Sequence, residues 1–209
     1  ALRADGSVVT WGDSSKGGDS SAVAAALDGS IDVTQVFSTR YAFAALRADG
    51  SVVTWGYGFW GGDSSAVAAA LDGSIDVTQV FSTDGAFAAL RADGSVVTWG
   101  YSWGGADSSA VAAALDGSID VTQIFSTEHA FAALRADGSV VIWGDSSYGG
   151  NSSAVAPLTN VVSLANPFTD DVYVAAAAPP APLSAIDLSA IATGSGGFVI
   201  NGQCAGDTS

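Results

Sequence analysis

Few side chains of this chain could act as catalysts. The sequence contains one histidine, His129, and one cysteine, Cys204. A histidine that acts as a general base needs an orienting partner, and any Ser-His-Asp set would have to use this single imidazole. One cysteine forms no intramolecular disulfide and no thiolate metal cluster, and the glycine-rich stretches lack the Lys-Ser/Thr ending of a phosphate-binding loop. We therefore predict a protein that is not an enzyme, with no cofactor and no assigned metal ligands.

An internal repeat, whose copies differ at few positions, indicates where residues for binding lie. The segment ALRADGSVV begins at residues 1, 45, 89 and 133, so the chain repeats itself with a period of 44 residues. Such a period is the sequence signature of a repeat architecture. The copies differ mainly in a loop that reads DSSK, YGFW, YSWG and DSSY in turn, and in a link that reads RY, DG and EH.

These two variable clusters contain the candidate binding residues. Tyr, Trp, Phe and Arg anchor interfaces and aromatic rings stack on sugars, and loops on a rigid scaffold are the usual place for recognition. The candidates are Lys16, Arg40, Tyr41, Tyr57, Phe59, Trp60, Tyr101, Trp103, Glu128, His129 and Tyr148. They predict recognition of a protein or a glycan. The alternative is that unconstrained loops drift, with Trp60 and Trp103 folded back onto neighbouring units.

The charge of the chain argues against several partners. There are 21 acidic residues against 6 basic ones, which gives a net charge of −15. Such a surface repels phosphate backbones and anionic membranes, so we predict no nucleic-acid partner. No run of 18 apolar residues occurs, so we also predict no membrane insertion. The oligomeric state stays open.

One repeat, read over residues 31–67, predicts the elements that carry these clusters. IDVTQVFST, AFAALRA and SVVTWG have the composition of three strands, and an Asp-Gly pair between the last two is a hairpin signal that favours positive φ at both positions. In this meander, both variable clusters lie at one end and the Asp-Gly turns at the other. The following SSAVAAAL is either a short helix capped by its serines or an outer fourth strand.

Three strands cannot bury both faces of a sheet alone. Stacking such units face to face gives a β-propeller, so the predicted fold is all-β: three- to four-stranded antiparallel blades in an open or partial ring. A closed four-unit ring, with one blade completed by both chain ends, is the less favoured alternative. A tryptophan ends the third strand of every copy, and we expect it to pack between blades. These residues are Trp11, Trp55, Trp99 and Trp143.

The repeat also predicts the domain organisation. Propeller repeats cover residues 1–177, as copies 1–44, 45–88 and 89–132 and a degenerate copy 133–177 that still offers strand-like segments near 161–166 and 172–177. A Pro/Ala-rich linker follows over 178–185, and 186–209 is the start of a second module or a disordered tail. The absence of a start Met leads us to expect part of a longer protein.

Aspartates and arginines recur with the same period. The aspartate pairs are Asp28 and Asp32, Asp72 and Asp76, and Asp116 and Asp120. They match no known calcium loop, so turn formation and solubility explain them better than structural calcium. One arginine recurs on each second strand, and we expect it to pair with these aspartates. The arginines are Arg3, Arg47, Arg91 and Arg135.

The letters ALRADGSVVTWGDSS, residues 1–15, resemble the regulator of chromosome condensation repeat, whose blades carry an ALxxDGxVxxWG pattern. The resemblance covers residues 1–156 and departs where GGDSS replaces the usual GQLG. It implies a propeller, typically seven-bladed, and a protein-interaction role. Members of that family include an exchange factor for a small GTPase and a secreted bacterial inhibitor of β-lactamase. None of their contact motifs is present here, so no functional residue is carried over.

The end of the chain more weakly resembles the entry to an integrin-type FG-GAP propeller. That family often opens with a Gly-Phe-Val-Ile and Gly-Asp-Xaa-Ser pattern, and its calcium-binding loops would lie beyond residue 209. The matching residues are Gly197, Phe198, Val199, Ile200, Gly206, Asp207 and Ser209.

Together these features predict a non-enzymatic binding propeller of a large, acidic, extracellular or cell-surface protein. It would recognise its ligand through the variable aromatic loops. One alternative is a purely structural array, such as a spacer or adhesin stalk. A third possibility is a guanine-nucleotide exchange-type regulator, but the acidic charge and the uniform copies argue against it.

Overall fold

A computed structural model describes residues 1–154, 157–162 and 164. In these residues the chain forms three antiparallel three-stranded sheets, each with its strands in sequence order. The strands are β1 (Val33–Ser38), β2 (Ala42–Arg47), β3 (Val52–Gly56), β4 (Val77–Ser82), β5 (Ala86–Arg91), β6 (Val96–Gly100), β7 (Val121–Ser126), β8 (Ala130–Arg135) and β9 (Val140–Gly144). Within the same residues, no helix has the length and apolarity needed to cross a membrane.

The Asp-Gly turns join the second and third strand of each sheet. In the first sheet, Arg47 N donates to Ser51 O, and Gly50 adopts a φ of +73°. Positive φ occurs at the glycine and not at Asp49, which corrects the expectation of two left-handed residues. The loop has three residues, and such a loop needs a left-handed conformation only at its last position.

Short 3-10 helices, and not a fourth strand, form the outer element of each unit. They span Ser21–Ala26, Ser65–Ala70 and Ser109–Ala114. The predicted serine caps are absent: Ser64 makes no capping bond, and Asp63 instead accepts a hydrogen bond from Ser65 N at 2.9 Å. Each helix packs against the third strand of the following sheet, so it belongs to the contact between units.

The hydrophobic core lies between consecutive sheets. Between the first two, Ala42, Ala44 and Leu46 pack with Val80 and Phe87. An equivalent cluster joins the second and third sheets. The alanines of the middle strands are almost fully buried, and their small side chains allow the sheets to approach closely. The predicted architecture of β-propeller blades is therefore confirmed, as an open series of sheets.

Three of the four repeat tryptophans bind the unit that precedes them. Trp55, Trp99 and Trp143 are buried, and each indole Nε1 donates to the carbonyl of a glycine 38 residues earlier, at 2.9–3.1 Å. The expectation is wrong for Trp11, which is 72% exposed. Within the described residues, no sheet precedes this residue to cover its ring.

The ends of the described region deviate from the repeat. The predicted strands at the start reduce to one isolated bridge between Leu2 and Val8, because no first strand pairs with them in the described residues. At the other end, Val161 N donates to Gly138 O, as Val121 N does to Gly94 O. The repeat geometry thus continues past residue 156, where the sequence similarity to the other copies is lost. Most of the predicted strand-like segments at 161–166 and 172–177, together with the linker and the 186–209 module, lies outside the described residues.

Two of the four repeat arginines, Arg47 and Arg91, pair with other aspartates than predicted. Arg47 Nη1 lies 3.4 Å from Asp49 Oδ2, and Arg91 Nη1 lies 3.5 Å from Asp93 Oδ2. Each partner is the aspartate of the adjacent Asp-Gly turn. The two residues stand next to each other at the hairpin end, so the local pair forms without any contact between units.

Candidate binding surface

The two variable clusters lie at the same end of the sheets, as the strand alternation predicts. The links between the first and second strands meet the loops that follow the third strands, because Tyr57 N donates to Tyr41 O and Tyr101 N donates to Gly85 O, both at 2.9 Å. We call this surface the loop end. It comprises residues 39–41, 57–60, 83–85, 101–104, 127–129 and 145–148, together with 13–16 of the first loop.

The backbone of the variable loop does not depend on its side chains. In each copy the loop is a 3-10 turn closed by a left-handed glycine, such as Gly61 with a φ of +100°. Trp60 N donates to Tyr57 O, just as Lys16 N donates to Asp13 O, both at 3.0 Å. The change from DSSK to YGFW therefore alters the surface of the loop and leaves its conformation in place.

Main-chain bonds also join the links of successive sheets. Arg40 N donates to Asp84 O, and Asp84 N donates to Glu128 O, each at 2.9 Å. We call these bonds the link ladder. The side chains at these positions are not needed to form it, because both partners are backbone groups.

Some of the candidate aromatics pack on one another. Trp60 lies edge-to-face with Tyr41, with ring centroids 4.9 Å apart, and stacks on Tyr101 at 5.7 Å. Gly85 makes room for this row, since a Cβ there would lie 3.2 Å from the Trp60 ring and 3.1 Å from Tyr101 Cβ. Trp60 is therefore half-buried between residues of two units, as expected if this ring folds back onto a neighbouring unit.

Other aromatics of the loop end face solvent. Trp103 is 69% exposed, Phe59 is 59% exposed and Tyr57 is 50% exposed. A groove of about 290 Å³ runs beside Trp103. Carboxylates and hydroxyls complete its lining, which consists of Ser102, Trp103, Asp107, Gly144, Asp145 and Ser146. The two predicted tryptophans thus have different environments, and Trp103 is the one available for contact.

Two cations stand over the first link. Lys16 Nζ lies 5.5 Å and Arg40 Cζ lies 5.4 Å from the centre of the Tyr41 ring, within the range of a cation–π contact. A second cavity of about 190 Å³ opens here. Its lining consists of Ser15, Lys16, Tyr41, Tyr57 and Trp60. Each cation also has a carboxylate neighbour: Lys16 Nζ lies 3.5 Å from Asp13 Oδ2, and Arg40 Nη1 lies 3.8 Å from Asp84 Oδ2. This corner therefore combines exposed ion pairs with aromatic faces.

The third link brings charged groups together. His129 Nε2 lies 3.8 Å from Glu128 Oε1, and the imidazole contacts the Tyr148 ring edge-on at 4.4 Å. The His129 side chain is only 19% exposed. Packing against Tyr148 covers it.

Asp84 belongs to this surface although it was not among the candidates. Its carboxylate lies 3.8 Å from Arg40 Nη1, and it groups with Glu128 and His129. The alignment of the copies contained the signal, because Asp84 occupies the position of Arg40 and Glu128 in the variable link.

Comparison with known proteins identifies no relative by sequence, because no protein-family model and no curated protein matches this chain. Among solved structures, the ectodomain of the receptor kinase CR4 from Physcomitrella patens shares 14% identity with a TM-score of 0.40, over 58% of this chain and 31% of that one. The CRINKLY WD40 ectodomain of the receptor kinase ACR4 from Arabidopsis thaliana shares 18% identity with a TM-score of 0.39, over 55% and 38% of the two chains.

A structure of Kap60 bound to yeast RCC1 (Prp20) shares 19% identity with a TM-score of 0.37, over 55% of this chain and 30% of that one. The chain therefore spans about a third of the length of these neighbours. By its own sheets and contacts, this chain is a tandem-repeat protein built of β-propeller blades.

Proposed function

We propose that the loop end is a binding surface for a protein or glycan ligand and that the chain acts by non-enzymatic recognition. The observation that carries the proposal is the exposure of Trp103, Phe59 and Tyr57 on loops whose backbone forms equally well without them. In the free protein these large aromatic rings stay in contact with water and so do not gain the free energy of burying apolar surface. A partner that covers these rings restores it.

The groove beside Trp103 favours a glycan. An exposed indole provides a flat apolar face for a sugar ring, while Asp107, Asp145 and Ser146 offer acceptors and a hydroxyl for sugar hydroxyls. The corner at Lys16 and Arg40 adds donors for an acidic group of either kind of ligand. In this proposal the protein is extracellular or located at the cell surface, where glycans and receptor proteins are displayed.

A structural array is the second candidate, and one observation favours it. Tyr41, Trp60 and Tyr101 pack on one another across adjacent units, so part of the aromatic change stabilises the contact between blades. A spacer needs such packing and no ligand. The exposed ring of Trp103 is the feature that this candidate does not explain, whereas Phe59 also contacts the Tyr101 ring of the next unit, with centroids 4.9 Å apart.

A glycan array together with capture of extracellular proteins tests the proposal. We expect the wild-type chain to bind a restricted set of ligands, and Trp103→Ala to weaken binding about tenfold or more, which corresponds to about 1.4 kcal/mol. Trp103→Phe keeps an aromatic face and should retain part of the affinity. The matched control is Trp11→Ala, which removes an equally exposed tryptophan outside the variable clusters.

Two results would contradict the proposal. One is a wild-type chain that binds no glycan and no protein under conditions in which it is folded. The other is a ligand whose affinity is the same for Trp103→Ala, a Phe59→Ala variant and the wild type. Either result would favour the structural array.

A further inference from the structure

The third link of the chain holds its only glutamate and its only histidine, side by side. Glu128 and His129 replace Arg40-Tyr41 and Asp84-Gly85 of the other links. Asp84, from the preceding unit, lies against them. One ligand atom from each of these three side chains lies within 4.8 Å of the others. Carboxylates and an imidazole together form a set of metal ligands.

The backbone holds these side chains in place. Asp84 N donates to Glu128 O at 2.9 Å, and Asp145 N donates to His129 O at 3.0 Å. The cluster therefore draws on two sheets that the link ladder fixes relative to each other. The Asp84 and His129 side chains are 24% and 19% exposed, while Glu128 is more open, at 59%. Two ligands are thus fixed and one can move.

Two polar groups of this cluster lack adequate partners in the described residues. His129 Nδ1 is buried and has no hydrogen-bond partner there, although buried ring nitrogens are normally satisfied. Of the two carboxylates, Asp84 pairs with Arg40, whose Nη1 lies 3.8 Å away, and Glu128 lies 3.8 Å from His129 Nε2. A cation in the cluster would offset the repulsion between the carboxylates and would bind Nε2, the ring nitrogen that lies 3.8 Å from Glu128 Oε1.

We propose that Asp84, Glu128 and His129 bind a divalent transition cation of the Zn²⁺ class. Imidazole disfavours Ca²⁺ and Mg²⁺, which prefer oxygen ligands, and suits Zn²⁺, Ni²⁺ or Cu²⁺. Bonds of about 2.0–2.2 Å require the ligand atoms to draw together by roughly 1 Å, which the exposed Glu128 side chain achieves by a change of rotamer. Three protein ligands leave a coordination position open on the loop end.

Calorimetric titration of the whole, tag-free chain with ZnCl₂ tests this inference. We expect one Zn²⁺ per chain, and about a tenfold or greater loss of affinity in His129→Gln and in Asp84→Asn. Asp72→Asn is the matched control, because it removes the same charge from an exposed turn whose acceptor oxygen an asparagine retains. A Cys204→Ser variant excludes the thiol as the ligand. Bound Co²⁺ should show the absorption of a nitrogen- and oxygen-ligated ion, and excess Ca²⁺ should not displace it.

The inference is overturned if the wild type binds no Zn²⁺, or if His129→Gln and Asp84→Asn bind it as tightly as Asp72→Asn. Circular dichroism of each variant establishes that it is folded. If Arg40→Gln also fails to bind Zn²⁺, although no guanidinium is left to pair with Asp84, the cluster is an ion pair only. The titration contains no glycan or protein ligand, so its outcome is independent of the proposed function.

Discussion

At the scale of single residues, one motif recurs throughout the chain: an aspartate whose carboxylate accepts hydrogen bonds from the serine two positions later. In the first sheet, Asp49 Oδ1 accepts from Ser51 Oγ at 2.6 Å and from Ser51 N at 3.1 Å. The hydrogen bond from the Ser51 hydroxyl is the main cause that lowers the pKa of Asp49 below its usual value of 3.8, and Arg47 lowers it further. The same motif at Asp93 and Ser95 lowers the pKa of Asp93.

We expect these turns to make the fold sensitive to acid. A carboxyl group whose pKa is lower in the folded state stabilises that state above the unfolded value of 3.8, and this contribution is lost as the pH falls through the folded pKa. Urea unfolding should therefore give a lower free energy at pH 3 than at pH 7. The double variant Ser51→Ala/Ser95→Ala should show a smaller difference, because it lacks the hydroxyl bonds. Equal stability of the wild type at both pH values would contradict this role.

At the scale of elements, the loop turns show how much the sequence could predict. The strands and the Asp-Gly turns follow from patterns within one copy, and so does the placement of both clusters at one end. The different environments of Trp60 and Trp103 could not be predicted from one copy, because each depends on residues of the next copy. For Trp60, Gly85 of the next copy leaves the space into which the ring packs. The grouping of Asp84 with His129 likewise joins residues of two copies, which no pattern within one repeat contains.

Two glycines that close the loop turns allow backbone strain to be separated from packing. Gly61 and Gly149 have similar φ values, +100° and +96°. A Cβ on Gly61 would lie 2.6 Å from the Phe87 ring, whereas a Cβ on Gly149 would meet nothing within 4 Å in the described residues. We expect both alanine variants to lose about 1–2 kcal/mol of unfolding free energy through the left-handed backbone.

Gly61→Ala should lose a further 1–3 kcal/mol or so from overpacking against Phe87. Chemical denaturation of both variants and the wild type measures the difference. If the two variants are equally stable, the contact between Gly61 and Phe87 does not limit the approach of the sheets.

At the scale of the whole molecule, stability is a sum of units and of contacts between neighbouring units. Within the part of the chain that the structure describes, the sheet of β4–β6 has a neighbouring sheet on both faces, whereas that of β1–β3 has one on a single face. The same repeat position therefore contributes a different amount to the free energy of unfolding in different copies. Trp99 is buried and donates to Gly61 O, while Trp11, at the matching repeat position, is exposed.

The tryptophan pair tests this description directly. Trp99→Ala should cost about 3–5 kcal/mol, because it leaves a cavity between two units and an unpaired carbonyl. Trp11→Ala should change the unfolding free energy by no more than about 0.5 kcal/mol. Urea-induced unfolding followed by circular dichroism measures both. A similar cost for the two variants would mean that position in the array does not determine the role of this residue.

The link ladder has an evolutionary consequence. Its bonds run between backbone groups, from Arg40 to Asp84 and from Asp84 to Glu128, and so they form with any amino acid except proline at the donor positions. Recombination can therefore delete, duplicate or reorder copies while the link ladder still forms. A modest number of blades then yields a large combinatorial repertoire of loop-end surfaces without a new fold.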